Sequence, residues 1–251
     1  MADIASEIVE AYLTNADRQA VASGGWRQDR PGLTATVTGL PFASYNAVFV
    51  QGEKADLADL DAMIDAVEAS GFPGIVRTRP VVDPALIAHI RARGYDSESR
   101  LPLMSLDPED YVRPGAEPPP IRLLEPGQPR IHIELVAEAL ESPLAAIDAF
   151  MSSERHAAGR WRIYIGEVDG DLAVTGSAVP CADHVCLIAI ATDTGHRRKG
   201  YAAALTARMI DDAFAGGARR VFLHASEMGR GMYEDMGFRF VEDWSAWTRA
   251  E

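Results

Sequence analysis

A nearly continuous apolar run, residues 185–192, passes without a spacer into Asp193-Thr194-Gly195-His196-Arg197-Arg198-Lys199-Gly200-Tyr201-Ala202. Beyond it Leu205, Met209, Ala213 and Phe214 recur at helical spacing up to Gly216-Gly217. An apolar run bounded by a turn reads as a central strand buried on both faces. A strand that breaks through a basic, small-residue turn into a helix start assembles an anion site. The first-turn N–H groups have no intrahelical partners, and the helix dipole places partial positive charge at the same point. Gly200 and Ala202 contribute by lacking bulk, since a larger side chain at either place would hold a diphosphate off the backbone amides. His196, Arg197, Arg198 and Lys199 add charge around it. The same residues also fit a plain loop of solvated basic side chains before an ordinary helix. Neither G-x-x-x-x-G-K-[ST] nor G-x-G-x-x-G stands here, which argues against a P-loop nucleotide hydrolase and a dinucleotide-binding dehydrogenase.

One stretch interrupts the alternation of helices and strands. Residues 107–120, DPEDYVRPGAEPPP, combine acids with prolines that fix φ and remove backbone donors. The expected organisation is a first domain at 1–107, a Pro-rich linker at 108–120 and a second domain at 121–251. In the first, periodicity predicts a helix over 4–12, strands over 34–38 and 47–50, and a helix carrying Leu57, Leu60, Met63, Ile64 and Val67. A strand over 74–79, a helix from the N-cap Asp83 to the stop Gly94, and a strand over 100–106 follow. The second domain opens with a strand over 121–124 and helices over 131–140 and 143–153. A hairpin of 161–168 with 172–178 turns at Asp169-Gly170-Asp171. After the buried strand and its helix come a strand over 220–225, a helix from Glu227 and a strand over 239–248. The fold class is mixed α/β.

Composition narrows the function. The chain has 251 residues, 47% hydrophobic and 24% charged, with a formal charge of −13. Both halves are net acidic, which argues against nucleic acid as a partner. No apolar run reaches the roughly 20 residues of a membrane helix, and the opening residues lack a basic then apolar leader, so a cytoplasmic protein without a membrane partner is expected. Cys181 and Cys186 are the only cysteines. Reduced thiols and no metal are the expectation.

Arg197-x-x-Gly200-x-Ala202 matches the R/Q-x-x-G-x-G/A signature of the GCN5-related N-acetyltransferases, and over residues 121–251 the chain resembles that superfamily. Downstream, Ser226, Gly229, Met232, Tyr233 and Gly237-Phe238 fall on its N-x-x-A-x-x-L-Y-x-x-x-G-F pattern, with serine and glycine in place of asparagine and alanine. The resemblance implies the acyl-CoA N-acyltransferase fold. It also implies transfer of an acetyl group from acetyl-coenzyme A to a primary amine of a small molecule or peptide. The coenzyme would be held by Ile190, Ala191, Thr192, His196, Arg197, Arg198, Lys199, Gly200, Tyr201, Ala202, Ser226, Gly229 and Tyr233.

The same resemblance makes Tyr233 the proton donor to the departing thiolate, beside the alternative that it only packs its helix. Many relatives carry a strand glutamate where this chain has Cys186. Period-two alternation puts His184, Cys186, Ile188 and Ile190 on one face, making His184 a candidate base, although an idle strand-edge histidine fits as well. Glu167, Asp193, His224 and Glu227 are further candidates. The missing glutamate also favours an alternative, a coenzyme-binding sensor with little catalysis. A weak internal repeat pairs 74–106 with 220–248, aligns Gly94 with Gly237 and places Ile90 at Tyr233. Because 51–55 lacks R-x-x-G-x-G/A, the first half is expected to be a degenerate copy in a tandem arrangement. The assembly is expected to be a monomer or homodimer.

Overall fold

The computed structural model describes residues 3–115, 119–125, 129–139, 141, 143–150 and 161–249. The chain divides into two compact units, Met1–Leu103 with Val241–Glu251, and Met104–Phe240. The expected linker, 108–120, thus falls inside the second unit, and the last strand falls inside the first from Val241 onward. The predicted helix over 143–153 extends beyond the described residues.

The first unit begins with helix α1 (Ile4–Ala22), capped by the Asp3 carboxylate on the Ser6 N–H at 2.6 Å. This helix runs past the expected end at Tyr12 because its apolar stripe continues through Leu13 to Ala20. Strands β1 (Trp26–Arg30) and β2 (Leu33–Val37) form a hairpin around Pro31-Gly32. The sequence reading missed β1, whose residues are polar and partly exposed. Strand β3 (Asn46–Val50), helix α2 (Leu57–Ala69), strand β4 (Ile75–Thr78), helix α3 (Pro84–Ala92) and strand β5 (Ser97–Leu106) complete the run. Asp56 and Asp83 cap α2 and α3 through their first-turn N–H groups.

In the second unit β6 (Ile121–Leu123), α4 (Pro129–Ala139) and α5 (Leu144–Phe150) precede the long antiparallel strands β7 (Arg162–Val168) and β8 (Asp171–Cys181). Positive φ at Asp169 and Gly170 makes the predicted tight turn. Strand β9 (His184–Thr192), helix α6 (Tyr201–Ala215), strand β10 (Arg220–His224) and helix α7 (Glu227–Asp235) follow. The last strand, β11 (Arg239–Thr248), leaves α7 and pairs antiparallel with β4, Ser245 opposite Thr78. Strands run β10-β9-β8-β7-β6 in order across the second unit. Helix α6 packs on β8 and β9 from one face, and α4 packs on the same two strands. Among the described residues no helix is long and apolar enough to cross a membrane.

The internal repeat is written in the hydrogen bonds. Helix α3 ends with Gly94 at φ 89°, its N–H on the Arg91 carbonyl and the Tyr95 N–H on that of Ile90. Helix α7 ends with Gly237 at φ 94°, its N–H on the Glu234 carbonyl and the Phe238 N–H on that of Tyr233. Both are Schellman caps in one register, and Ile90 occupies the place of Tyr233. The two glycines differ in their neighbours. A Cβ on Gly94 would meet only an Arg249 nitrogen at 4.0 Å, whereas one on Gly237 would lie 2.0 Å from the Asp110 carbonyl oxygen. Gly94→Ala should therefore cost about 1 kcal/mol of backbone strain, and Gly237→Ala roughly 2–3 kcal/mol. Urea midpoints of the two variants check the order.

Candidate functional site

The site grows from the edge of β9. Its parallel ladder with β10 pairs Arg220 with His184, Val221 with Val185 and Phe222 with Cys186, and no further pairing follows. Strand β9 nevertheless runs on to Thr192. The backbone from Leu187 onward therefore turns an unpaired edge toward β10, and free N–H and C=O groups at such an edge accept an added extended chain. The corresponding pair in the first unit behaves differently. Strands β3 and β4 pair from Ala47–Ile75 to Val50–Thr78, and the Asp83 N–H then bonds the Glu53 carbonyl at 2.9 Å. That gap is closed by the protein's own backbone.

The other edge of β9 is broken by a bulge. Thr175 pairs with Ala191 and Ser177 with Ile188, so Ala189 and Ile190 together oppose Gly176. Ala189 takes φ 54°, a left-handed conformation costly for an alanine. The extra residue turns Ile190 around. A Cβ on Gly176 would meet Leu205 at 2.8 Å, Ile190 at 3.1 Å and Met209 at 3.2 Å, so Ile190 lies on the α6 face. This corrects the expectation that His184, Cys186, Ile188 and Ile190 share one face, because alternation holds only until the bulge. On the α4 face His132 is fully buried, its Nδ1 2.6 Å from the Thr175 hydroxyl and its Nε2 3.2 Å from the Ser177 hydroxyl. Thr175 donates to the Tyr164 carbonyl at 3.0 Å, so Nδ1–H donates to Thr175, and the Ser177 hydroxyl holds the other ring nitrogen. The imidazole thus ties α4 over the bulge. No sequence signal singled it out.

Beyond Thr192 the chain forms the predicted turn. Asp193 accepts from the Gly195 N–H at 2.9 Å and holds His196 Nδ1 at 2.8 Å. The His196 hydrogen bond, with help from the Gly195 and Thr194 amides, keeps the Asp193 carboxyl below its usual range. Arg198 and Gly200 both take left-handed φ, 63° and 80°. Gly200 caps α6 without a side-chain bond, and the first intrahelical bond at this end is Ala204 N–H to the Gly200 carbonyl at 3.0 Å. The amides of Tyr201, Ala202 and Ala203 therefore remain as donors for an outside group. Among the described residues no carboxylate pairs with the exposed Arg197, Arg198 and Lys199. This turn fits an anionic diphosphate by its donors, its dipole and its charge.

Helix α7 supplies the third side. Ser226 caps it, its hydroxyl accepting the Gly229 N–H at 3.2 Å. A Cβ on Gly229 would lie 3.1 Å from the Tyr233 ring, whereas one on Gly231 would meet nothing within 4 Å. Tyr233 is 8% exposed, stacks edge-on against Phe238 at 5.6 Å, and packs in one cluster with Leu187, Ile190, Tyr201 and Leu223. Burial pushes its phenol up to about 12. The candidate residues of β9, the turn, α6 and α7 are brought together. His184 is not. It begins β9, eight residues before Thr192 and about 26 Å from it at strand rise, with its Nδ1 2.6 Å from Asp183. Cys186 is buried, and burial first, then Cys181, holds its thiol well above the ordinary value.

The family described as the acetyltransferase (GNAT) family matches residues 131–238. The match to the GNAT acetyltransferase family is carried by the second half of the chain. No curated protein matches it. Among solved structures, a GCN5-related N-acetyltransferase from Kribbella flavida aligns with a TM-score of 0.75 at 16% identity, covering 100% of this chain and 98% of that one. A second, from Sphaerobacter thermophilus, gives 0.62 at 17% identity, covering 86% and 76%. A tandem GNAT protein from the clavulanic acid biosynthesis pathway gives 0.54 at 15% identity, covering 97% and 95%. These likenesses show that the GNAT fold and its two-domain arrangement extend over the chain. The family matched by residues 131–238 is one of acetyltransferases.

Proposed function

We propose that the protein transfers an acetyl group from acetyl-coenzyme A to a primary amine, with all the coenzyme-binding residues in the second half. The observation that carries this reading is the parting of β9 from β10 after Cys186 and Phe222, directly before the turn that ends in left-handed Gly200. The amides of Tyr201, Ala202 and Ala203, with Arg197, Arg198 and Lys199, hold the diphosphate. The open edge from Leu187 to Thr192 pairs with the pantetheine arm. The bound thioester supplies an activated acetyl carbon. Around it the chain provides backbone N–H groups near the Ile190 bulge for the carbonyl oxygen as it gains negative charge. Tyr233, protonated throughout the working range, gives its proton to the departing sulfur. The closed β3–β4 gap supports the first half as a degenerate copy.

A coenzyme-binding sensor is the second reading, favoured by the neutral, buried Cys186 where many relatives carry a glutamate. Release of thiol from acetyl-coenzyme A on adding an amine separates the two. The binding site itself is tested by Gly200→Glu. Glutamate carries bulk and negative charge to the diphosphate position and strains the left-handed cap, so coenzyme A affinity should fall at least about tenfold, 1.4 kcal/mol. Calorimetry that finds parental affinity in a folded variant places the site elsewhere.

A further inference from the structure

Acetyl transfer to an alkylamine needs a base, since such amines are ammonium ions with a pKa near 10 and only the neutral form attacks. The candidates from β9 do not serve. Cys186 is a buried neutral thiol, and His184 lies at the wrong end of the strand. Asp193 and His196 are engaged with each other in the turn. Glu227 is exposed on the first turn of α7.

His224 stands differently. It is the last residue of β10, two beyond Phe222, where the ladder with β9 stops, and so it lies level with Ile188 beside the open gap. It is half-buried. Paired residues of a parallel ladder share a face, and alternation carries His224 to the face of Phe222 and Cys186. The 6.5 Å approach of the His184 and Phe222 rings confirms that face. Val221 and Leu223 point the other way, into the cluster that holds Tyr233. The imidazole and the phenol thus flank the gap from opposite faces of the sheet. Among the described residues, the ionisable groups sharing the His224 face include Arg220 of β10, which is paired with Asp107 at 2.6 Å, His184 and Cys186 of β9, Cys181 of β8 and His132 of α4.

Resting on the acetyl-transfer reading above, we propose that His224 is the general base that frees the acceptor amine. One proton passes from the ammonium nitrogen to His224. The freed lone pair forms the C–N bond, and the C–S bond breaks. The sulfur takes the Tyr233 proton, and the nitrogen's second proton restores the phenol through water. The products are an amide, a thiol and one proton released to solvent.

Thiol release from acetyl-coenzyme A is measured with tyramine, spermidine and a peptide with a free N-terminus, alongside calorimetry of coenzyme A. At pH 7 His224→Gln should lose roughly 10²-fold in kcat/KM and keep coenzyme A affinity within about twofold. The deficit should shrink above pH 9, where the amine sheds its own proton, and added imidazole should restore part of the rate of His224→Ala. Parental turnover in both variants overturns the assignment. So does a joint loss of turnover and coenzyme A affinity, which would place His224 in the coenzyme pocket. Coenzyme A binding without thiol release by the parent on any of the amines overturns the acetyl-transfer reading, and the base with it.

Discussion

Glu242→Gln should cost the first unit about 3–5 kcal/mol, the loss expected when one partner of a buried ion pair is neutralised. Arg79 and Glu242 are 8% and 8% exposed and meet in a two-pronged pair at 2.7 and 3.0 Å. Trp244 Nε1 donates to the same carboxylate at 2.6 Å. Glu242 and Trp244 lie on β11, the strand that pairs with β4, so the pair fixes the C-terminal strand to the unit it joins. Glutamine keeps the shape but leaves a buried guanidinium without a counter-charge. Arg77 of β4, also buried and held by Tyr12, adds a second positive charge two residues from Arg79. Hydrogen exchange provides the readout. Amides of β4 and β11 should lose protection while those of β8 and β9 keep theirs. Replacing both partners by methionine should recover part of the loss, because two apolar chains of similar volume remove the unpaired charge at Arg79 and leave only Arg77 buried there. Unchanged protection in Glu242→Gln would show that the pair contributes little.

Tyr233→Phe should slow acetyl transfer by roughly 10²-fold near pH 7, the usual scale for a general acid. The substitution removes one oxygen and leaves the ring against Phe238, so stability should hold within about 1 kcal/mol and coenzyme A affinity should not move. Burial raises the phenol to about 12, so Tyr233 stays protonated through any practical assay range and adds no descending limb of its own. The deficit should be largest near pH 6.5–7. It should narrow above about pH 8.5, where a cysteine-like thiolate leaves without a proton. Slow turnover with intact binding supports the acid role. Lost folding would assign Tyr233 to packing alone, and unchanged turnover at pH 7 would mean that solvent supplies the proton.

Much of this protein is local chemistry, and local chemistry is legible. The stop glycines Gly94 and Gly237, the caps Asp83 and Ser226, and the turn from Asp193 to Ala202 each act within a few residues of chain. Periodicity therefore located α3, α6 and α7 and the strands before them. The anion turn could be read because its working groups are backbone amides, whose direction follows once a helix starts at Tyr201.

What the sequence could not carry depends on partners far along the chain. The bulge at Ala189 and Ile190 exists because Gly176, on another strand, lets Leu205 and Met209 close over it, and it reverses the face of Ile190. The stop in the β9–β10 ladder is set by pairing, not by composition, and it decides that His224 rather than His184 borders the gap. The last strand reads as the end of the second half, yet its carboxylate at Glu242 finds its buried counter-charge at Arg79. Alternation fixes which side chains share a face only while the register is unbroken, and the choice of strand partner is a long-range energy that no local pattern contains.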